Sequence, residues 1–291
     1  MRAALPAGRR SALVLLLASV AGLMMFTWPL LLVPDPDAGR VSPPFVFLAL
    51  LPVLVLVVVV ELTEGGMDAK ALAMLGVLTA VNAAMRSLGA GLAGVELVFF
   101  LLVLAGRVFG PGFGFVLGCT SLFASALLTS GVGPWLPYQM LCAAWIGLGA
   151  GLLPGRRSLT GRAEIVLLVV YGIGCAYGFG VLMNLSSWPY VLGIAVPGHT
   201  GSLSYVSGAP VLENLHRFAV YTLLTSTGGW DTGRAVTNTV ALVVLGPAVL
   251  ATLRRASRRA SYGASTSGPA GWPGEPAVRH PADVPGVRRP G

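Results

Sequence analysis

The sequence predicts an all-α, polytopic integral membrane protein. Of its 291 residues, 55% are hydrophobic and only 10% are charged, and the mean hydropathy is +0.80. Soluble domains carry about 25% charged residues. The charge is missing from several apolar runs of about 20 residues, which is the length that a helix needs to cross a bilayer. These runs are continuous rather than alternating, which argues against a transmembrane β-barrel.

The charge and the cysteines limit the classes of partner. The net charge is +8 and the pI about 10.0, but the basic residues lie at both termini and in loops. Basic loops beside apolar spans mark the cytoplasmic side of a membrane, so we predict no nucleic-acid partner. Cys119, Cys142 and Cys175 lie singly within apolar runs, and no CxxC or Cys/His cluster occurs. We interpret them as small core residues and expect no metal site and no cofactor.

Residues 1–66 are predicted to form an N-terminal extension with two transmembrane helices. The first apolar run, 11–33, follows a short basic N-terminus. It is longer than the hydrophobic part of a signal peptide and lacks an Ala-x-Ala site, so we expect it to remain in the protein. The second run, 45–62, is rich in Leu and Val. We expect this pair to anchor or pack rather than to carry chemistry.

Residues 67–257 contain six further predicted helices. The first of them, 69–88, carries small residues at steps of three and four, which place them on one helical face. Such a stripe lets another helix approach closely, and that helix belongs either to a partner or to the same chain. The stripe consists of Ala69, Ala73, Gly76, Ala80 and Ala84. The other five spans are predicted at 92–108, 113–129, 136–153, 163–184 and 233–253, and the Gly/Pro/Ala/Ser/Arg-rich segment 258–291 is predicted to be a disordered tail.

The arginine distribution predicts the topology. Arginines near the N-terminus, at 155–162 and at 254–259 all indicate the cytoplasmic side. Six crossings return 155–162 to that side, and the seventh places 185–214 outside. Only one further crossing is then allowed, so the amphipathic segment 212–227 is predicted to be interfacial or re-entrant. The result is a multi-pass plasma-membrane protein with eight spans and both termini in the cytoplasm.

Polar residues from separate helices are predicted to meet at the outer end of this bundle. Charged groups at membrane depth are costly, and they face a cavity or one another. Trp135 stands between two prolines and is therefore rigidly presented. We predict a small-molecule pocket with Trp135 as its aromatic wall. The candidate substrate-binding residues are Arg86, Glu96, Trp135, Gln139, Asp231, Arg234 and Asn238.

Two other interpretations of these residues stay open. In the first interpretation, the charges form structural pairs without a ligand, Arg86 with Glu96 and Asp231 with Arg234. In the second interpretation, the aromatic residues at this level form an interfacial belt instead of a pocket wall. We favour this interpretation for Trp188.

Signals for catalysis are weak, and we predict that the chain is not an enzyme. It contains no GxSxG motif and no Walker A motif, and His199 and His216 stand alone. We therefore name no catalytic residue. Two alternatives to a binding subunit remain: a membrane enzyme acting on a lipid or isoprenoid, with Glu96 and Asp231 as acid and base, and a non-catalytic membrane scaffold.

Three motifs, taken with Arg86 and Glu96, point to a known family. They are AGRVFGPGFGFVLG at 105–118, GVGPWLPYQM at 131–140 and GWDTGRAVTN at 229–238. Over about 69–255 the chain resembles the actinobacterial substrate-binding S components of energy-coupling factor (ECF) transporters. The resemblance implies a six-helix module that captures a vitamin or related micronutrient from outside the bacterial cell.

The resemblance also implies partners. S components dock on an energy-coupling transmembrane subunit, which is driven by two ABC-type ATPases. The docking surface is an alanine-rich face of the first family helix, which here corresponds to Ala73, Ala80 and Ala84. The chain departs from the pattern in its two additional N-terminal spans and in a stripe longer than a single AxxxA.

The predicted topology can be tested by labelling a cysteine introduced at Ser202. Because 185–214 is predicted to lie outside, Ser202→Cys should react with a membrane-impermeant maleimide in intact cells. A cysteine introduced in loop 155–162 should react only after lysis. Labelling at Ser202→Cys that also requires lysis would contradict both the topology and the outer location of the site.

Overall fold

All regular structure that the computed structural model describes is helical, as the sequence predicts. It describes residues 9–31, 43–64, 67, 69–88, 94–155, 158–190, 200–206 and 208–265. The α-helices are α1 Arg9–Leu31, α2 Pro43–Glu64, α3 Ala69–Leu88, α4 Val98–Phe109, α5 Pro111–Leu128, α6 Leu136–Leu152, α7 Arg162–Ser187, α8 Val211–Thr222, α9 Thr232–Val244 and α10 Gly246–Ser265. A 3-10 turn, Trp188–Tyr190, follows α7, and a π-helical segment, Leu223–Asp231, joins α8 to α9.

Several helices are compatible with a membrane by length and composition. Within the described ranges, α5 and α7 are long and apolar enough to cross a bilayer. The stretch Val211–Val244 with Gly246–Arg258 is a third candidate if the bent pair counts as one span. Shorter apolar helices occur at Ser11–Thr27, Leu51–Thr63, α4 and α6. These helices fit an all-α membrane protein, and the count of eight spans stays a prediction.

The C-terminal helices differ from the prediction. A separate interfacial helix at 212–227 is absent from the described chain, because α8, the π segment and α9 form one uninterrupted stretch from Val211 to Val244. The break comes instead at Leu245, where the sequence predicts an unbroken helix over 233–253. Pro247 explains this position, since proline lacks an N–H group and its ring clashes with the preceding turn.

Beyond the break, α10 leaves at 65° to the preceding stretch and continues to Ser265. The disordered tail predicted at 258–291 is therefore wrong for residues 258–265, which are helical. Residues 266–291 lie outside the described part of the chain.

The core of the bundle is a close three-helix contact of α4, α5 and α6. Every residue of α4 from Val98 to Val108 is buried. A Cβ atom placed on Gly114 of α5 would collide with the backbone of Gly147 in α6, and the reverse also holds. Gly106 of α4 faces the same Gly147 carbonyl. These glycines allow backbone-to-backbone contact between the three helices.

The N-terminal pair of helices packs directly on α6. Trp145 donates a hydrogen bond from Nε1 to Ser19 Oγ over 2.9 Å. Phe26 is fully buried, and its ring meets Tyr138 edge to face at 4.7 Å between centroids. The predicted packing role of residues 1–66 fits these contacts.

A buried ionic cluster closes one end of the bundle. Arg107 donates from Nε to Glu164 Oε1 over 2.9 Å and from Nη1 to the carbonyls of Leu153 and Pro154 over 3.0 Å. Arg254 of α10 binds both oxygens of the same carboxylate over 2.6 and 2.8 Å. The cluster joins α4, the turn after α6, α7 and α10, and none of its charged residues was predicted from the sequence to pair.

The glycine contact predicts opposite effects for two glycine-to-alanine substitutions. Gly147→Ala should lower the free energy of unfolding by about 1–3 kcal/mol, because its methyl group overlaps the α5 backbone. Gly174→Ala, in α7, has open space around its Cβ and should be neutral or stabilising by up to about 1 kcal/mol. Thermal unfolding in detergent measures both, and a stable Gly147→Ala would contradict the close contact.

Candidate functional site

The candidate site is built around the carboxylate of Glu96, which precedes α4. Its Oε2 accepts a hydrogen bond from Arg234 Nε over 2.7 Å. Its Oε1 lies 3.8 Å from Arg86 Nε. Glu96 therefore holds the end of α3 and the start of α9 together, because each of these helices supplies one arginine. Residues far apart in the chain meet at the end of the bundle opposite to the Arg107 cluster.

Arg86 extends the network to α5 and α6. Its Nη2 donates to Gln139 Oε1 over 2.9 Å, and its Nη1 donates to Ser125 Oγ over 3.2 Å. The α5 hydroxyl was not among the predicted site residues. Ser121 and Ser125 lie one turn apart on the face of α5 toward α3. Two hydroxyl side chains on one face of an otherwise apolar helix are the sequence signal that predicts such contacts.

Arg234 extends the network in the other direction. Its Nη1 donates to Asp231 Oδ1 over 3.1 Å. Its guanidinium also lies over two aromatic rings, 5.4 Å from the centre of Phe99 and 4.8 Å from that of Phe179. A cation held by two carboxylates and two ring faces is fixed in position. These contacts match the predicted pairing of Arg234 with Asp231.

The π segment and Gly180 position Asp231. Ser226 donates from Oγ to Asp231 Oδ2 over 2.7 Å. These residues are five apart, and the i to i+5 repeat of a π-helix brings such side chains above each other. A Cβ on Gly180 of α7 would overlap the carboxylate, so only glycine leaves room for it. Asp231 is consequently 1% exposed with both oxygens bound.

Asn238 fixes the loop before α4. Its Nδ2 donates over 2.8 Å both to the backbone carbonyl of Glu96 and to that of Arg234. Its Oδ1 is buried without a hydrogen-bond partner among the described residues. Asn238 therefore supports Glu96 through the backbone, and one buried acceptor is left over.

Trp135 stands apart from this network and is 51% exposed, with its ring beside Gly133. It precedes α6 and lies four residues before Gln139, and the Gln139 N–H donates to its carbonyl over 3.0 Å. Trp230 is 49% exposed and lies four residues before Arg234. Each tryptophan is thus about one helical turn from a network residue along its helix.

Trp188 is not part of an interfacial belt, so that interpretation is wrong. Its side chain is 0% exposed and donates from Nε1 to the carbonyl of Leu203 over 2.7 Å. Its ring packs against Tyr205 and Phe218 at 5.5 and 5.3 Å between centroids. Trp188 therefore holds segment 200–206 and α8 against the end of α7.

The charges within the network balance. Arg86 and Arg234 face Glu96 and Asp231, two cations against two anions. Both predicted pairs form, and a third contact, Arg234 with Glu96, links them. Pairing therefore accounts for Arg234 and Asp231, whereas the side chains of Arg86 and Glu96 remain 20% and 21% exposed.

The predicted docking residues lie on an open face of α3. The opposite face packs on α5, where Thr79 and Thr120 hydroxyls are 2.8 Å apart. Ala73, Ala80 and Ala84 are exposed, and no described atom lies within 4 Å of a Cβ placed on Gly76. The sequence allowed two interpretations of this stripe, docking of a partner helix or packing within the chain. The described residues leave the stripe exposed, so they do not use it for packing within the chain.

Few of the described side chains are placed to bind a metal ion or to act as an acid or base. Within the described residues, no group of three or more His, Cys, Asp or Glu side chains could hold a metal ion. Glu96 and Asp231 share one guanidinium, so neither is placed as a free acid or base.

The network predicts a large difference between two arginine substitutions. Arg234→Gln leaves two largely buried carboxylates short of a cation, and it should lower the free energy of unfolding by about 3–5 kcal/mol. Arg217→Gln breaks the more exposed pair with Glu213 and should cost about 0.2–1 kcal/mol. Thermal unfolding and the yield of folded protein measure both. Equal losses would show that Arg234 does not hold this end of the bundle.

Comparisons with known proteins identify no family for this chain. No protein-family model, no curated protein and no solved structure matches the chain.

Proposed function

We propose that this chain is the substrate-binding subunit of an ECF-type ABC importer in the bacterial plasma membrane. It captures a vitamin or related micronutrient at the outer face. An energy-coupling transmembrane subunit and two ABC-type ATPases drive the uptake. The observation that carries the proposal is the network centred on Glu96, which gathers polar residues from four helices at one end of an apolar bundle.

Two of the three motifs behind the resemblance supply residues of this network. Segment 131–140 provides Gln139, and segment 229–238 provides Asp231, Arg234 and Asn238. Polar groups from separate helices at one end of a bundle are the usual way in which a helical membrane protein forms a ligand site. A partly exposed Arg86–Glu96 pair leaves polar atoms accessible to a small molecule.

The open face of α3 supports a partner subunit. Its small residues are flanked by the exposed side chains of Leu72 on one side and Val77 and Val81 on the other. A shallow strip between larger apolar residues suits the close approach of a second helix. We assign this face, with Ala73, Ala80 and Ala84, to the coupling subunit.

The alternatives fit the contacts less well. A membrane enzyme needs a reactive group with an orienting partner, whereas Glu96 and Asp231 are both bound by Arg234. A scaffold has no need for charges near membrane depth, where they are costly. The contacts therefore favour an importer subunit over both alternatives.

The assignment of the α3 face is tested by two tryptophan substitutions. Ala80→Trp should abolish co-purification of the coupling subunit and the ATPases, because it fills the strip. Val81→Trp, about 100° around the helix, should leave the complex largely intact. Tagged protein purified from its native membrane and analysed by mass spectrometry gives the readout. If no ABC-type ATPase or coupling subunit accompanies the unsubstituted protein, the proposed function is wrong.

A further inference from the structure

The network at the outer end divides into a saturated part and an open part. Arg234 and Asp231 have side chains only 10% and 1% exposed, and the atoms that face each other are bound. Arg86 and Glu96 are more exposed, and their mutual contact is loose. The side of the network that a small molecule can reach is therefore the Arg86–Glu96 side.

This open side retains hydrogen-bonding capacity. Glu96 Oε1 lies 3.8 Å from Arg86 Nε, which is beyond hydrogen-bond distance. Gln139 accepts from Arg86 through Oε1, so its NH₂ group remains as a donor. Within the described chain, a row of donors on Gln139 and Arg86 thus stands beside an acceptor on Glu96. A ligand edge with an acceptor next to a donor is complementary to this row.

Two tryptophans flank the same end. Trp135 lies one turn from Gln139, and Trp230 lies one turn from Arg234. Both are about half exposed, at 51% and 49%. Indole faces placed beside polar groups bind flat, aromatic ligands by stacking.

The charge balance restricts the ligand further. Two arginines and two carboxylates cancel, so the site offers no uncompensated charge to an ion. Desolvating an ionic ligand next to a neutral network is costly, whereas a neutral polar ligand exchanges water for the free donors and acceptor.

We infer that the ligand recognised here is an uncharged, planar heteroaromatic molecule with a carboxamide or lactam edge. Its carbonyl oxygen accepts from Arg86 and Gln139, its N–H donates to Glu96 Oε1, and its ring stacks on Trp135 or Trp230. This inference rests on the proposed function and names the chemical class of its substrate.

Three probes of one shape and different charge test the inference. Nicotinamide is neutral and carries the donor–acceptor edge, nicotinate is an anion, and 1-methylnicotinamide is a cation. Saturation-transfer NMR on the full chain in lipid nanodiscs detects weak binding of each. We expect nicotinamide to bind at least about tenfold more tightly than either ion. No binding by any probe, or a preference for either ion, would overturn the inference.

Three variants test the assigned contacts, and two further variants serve as controls. Trp135→Ala and Trp230→Ala remove exposed rings, and at least one should weaken nicotinamide binding about fivefold or more. Glu96→Gln gives the network a net positive charge and should shift the preference toward nicotinate. Two matched controls, Phe123→Ala and Glu213→Gln, alter an exposed ring and an exposed carboxylate elsewhere and should change nothing.

The outcomes separate the inference from the proposed function. If both tryptophan variants and Glu96→Gln bind all three probes like the unsubstituted protein, the open side is not the binding surface. Co-purification of the coupling subunit uses the α3 face and involves no ligand. A preference for an ion with an intact complex would therefore overturn only the ligand class.

Discussion

The bridge that Glu96 forms between Arg234 and Arg86 is the interaction on which the polar end of this protein depends. It joins α3 to α9 across the start of α4, and the neighbouring contacts to Gln139 and Asp231 reach α6 and the π segment. A carboxylate in this position is stable only while its cations are held in place, and Phe99 and Phe179 hold one of them from both sides. The contacts on the Arg234 side are saturated, whereas the Arg86 side is partly exposed. Under the proposed function, structural pairing and ligand binding are therefore two parts of one network rather than competing explanations.

The opposite end of the bundle is closed by Arg107, Glu164 and Arg254 in a similar way. Between the two ionic ends, α4 passes through the centre and is packed backbone to backbone against α6 through Gly106 and Gly147. Glycine contacts bring helices close without relying on a hydrophobic force, which is weak between helices in lipid. Charged contacts at both ends and small residues in the middle together give a rigid bundle. Under the proposed function, such surroundings keep the donors and acceptors of the ligand site at fixed separations.

Two elements between α7 and α9, the buried Trp188 and the π segment, make contacts that fix α8 and Asp231. Trp188 is buried and holds α8, while the π segment brings Ser226 onto Asp231. π-helical turns are uncommon and frequently lie at functional sites. Here the π turn adds a hydroxyl contact to a buried carboxylate and presents Trp230 toward the exterior.

The sequence by itself determined the all-helical class, most helix boundaries and the convergence of polar residues at one end. Apolar runs set the helices, with α3 at 69–88 as predicted, and the alternation of helix direction brings Arg86, Glu96 and Gln139 to a common level. Only the tertiary structure decided that Glu96 serves both arginines, that Arg107 pairs with Glu164, and that Trp188 is buried. It also decided that the helix continues through residues 223–231 and breaks at Leu245. The physical reason is that hydropathy and periodicity are local properties of the chain. The sharing of one carboxylate, the burial of one ring and the choice of hydrogen-bond repeat depend on neighbours that are distant in sequence.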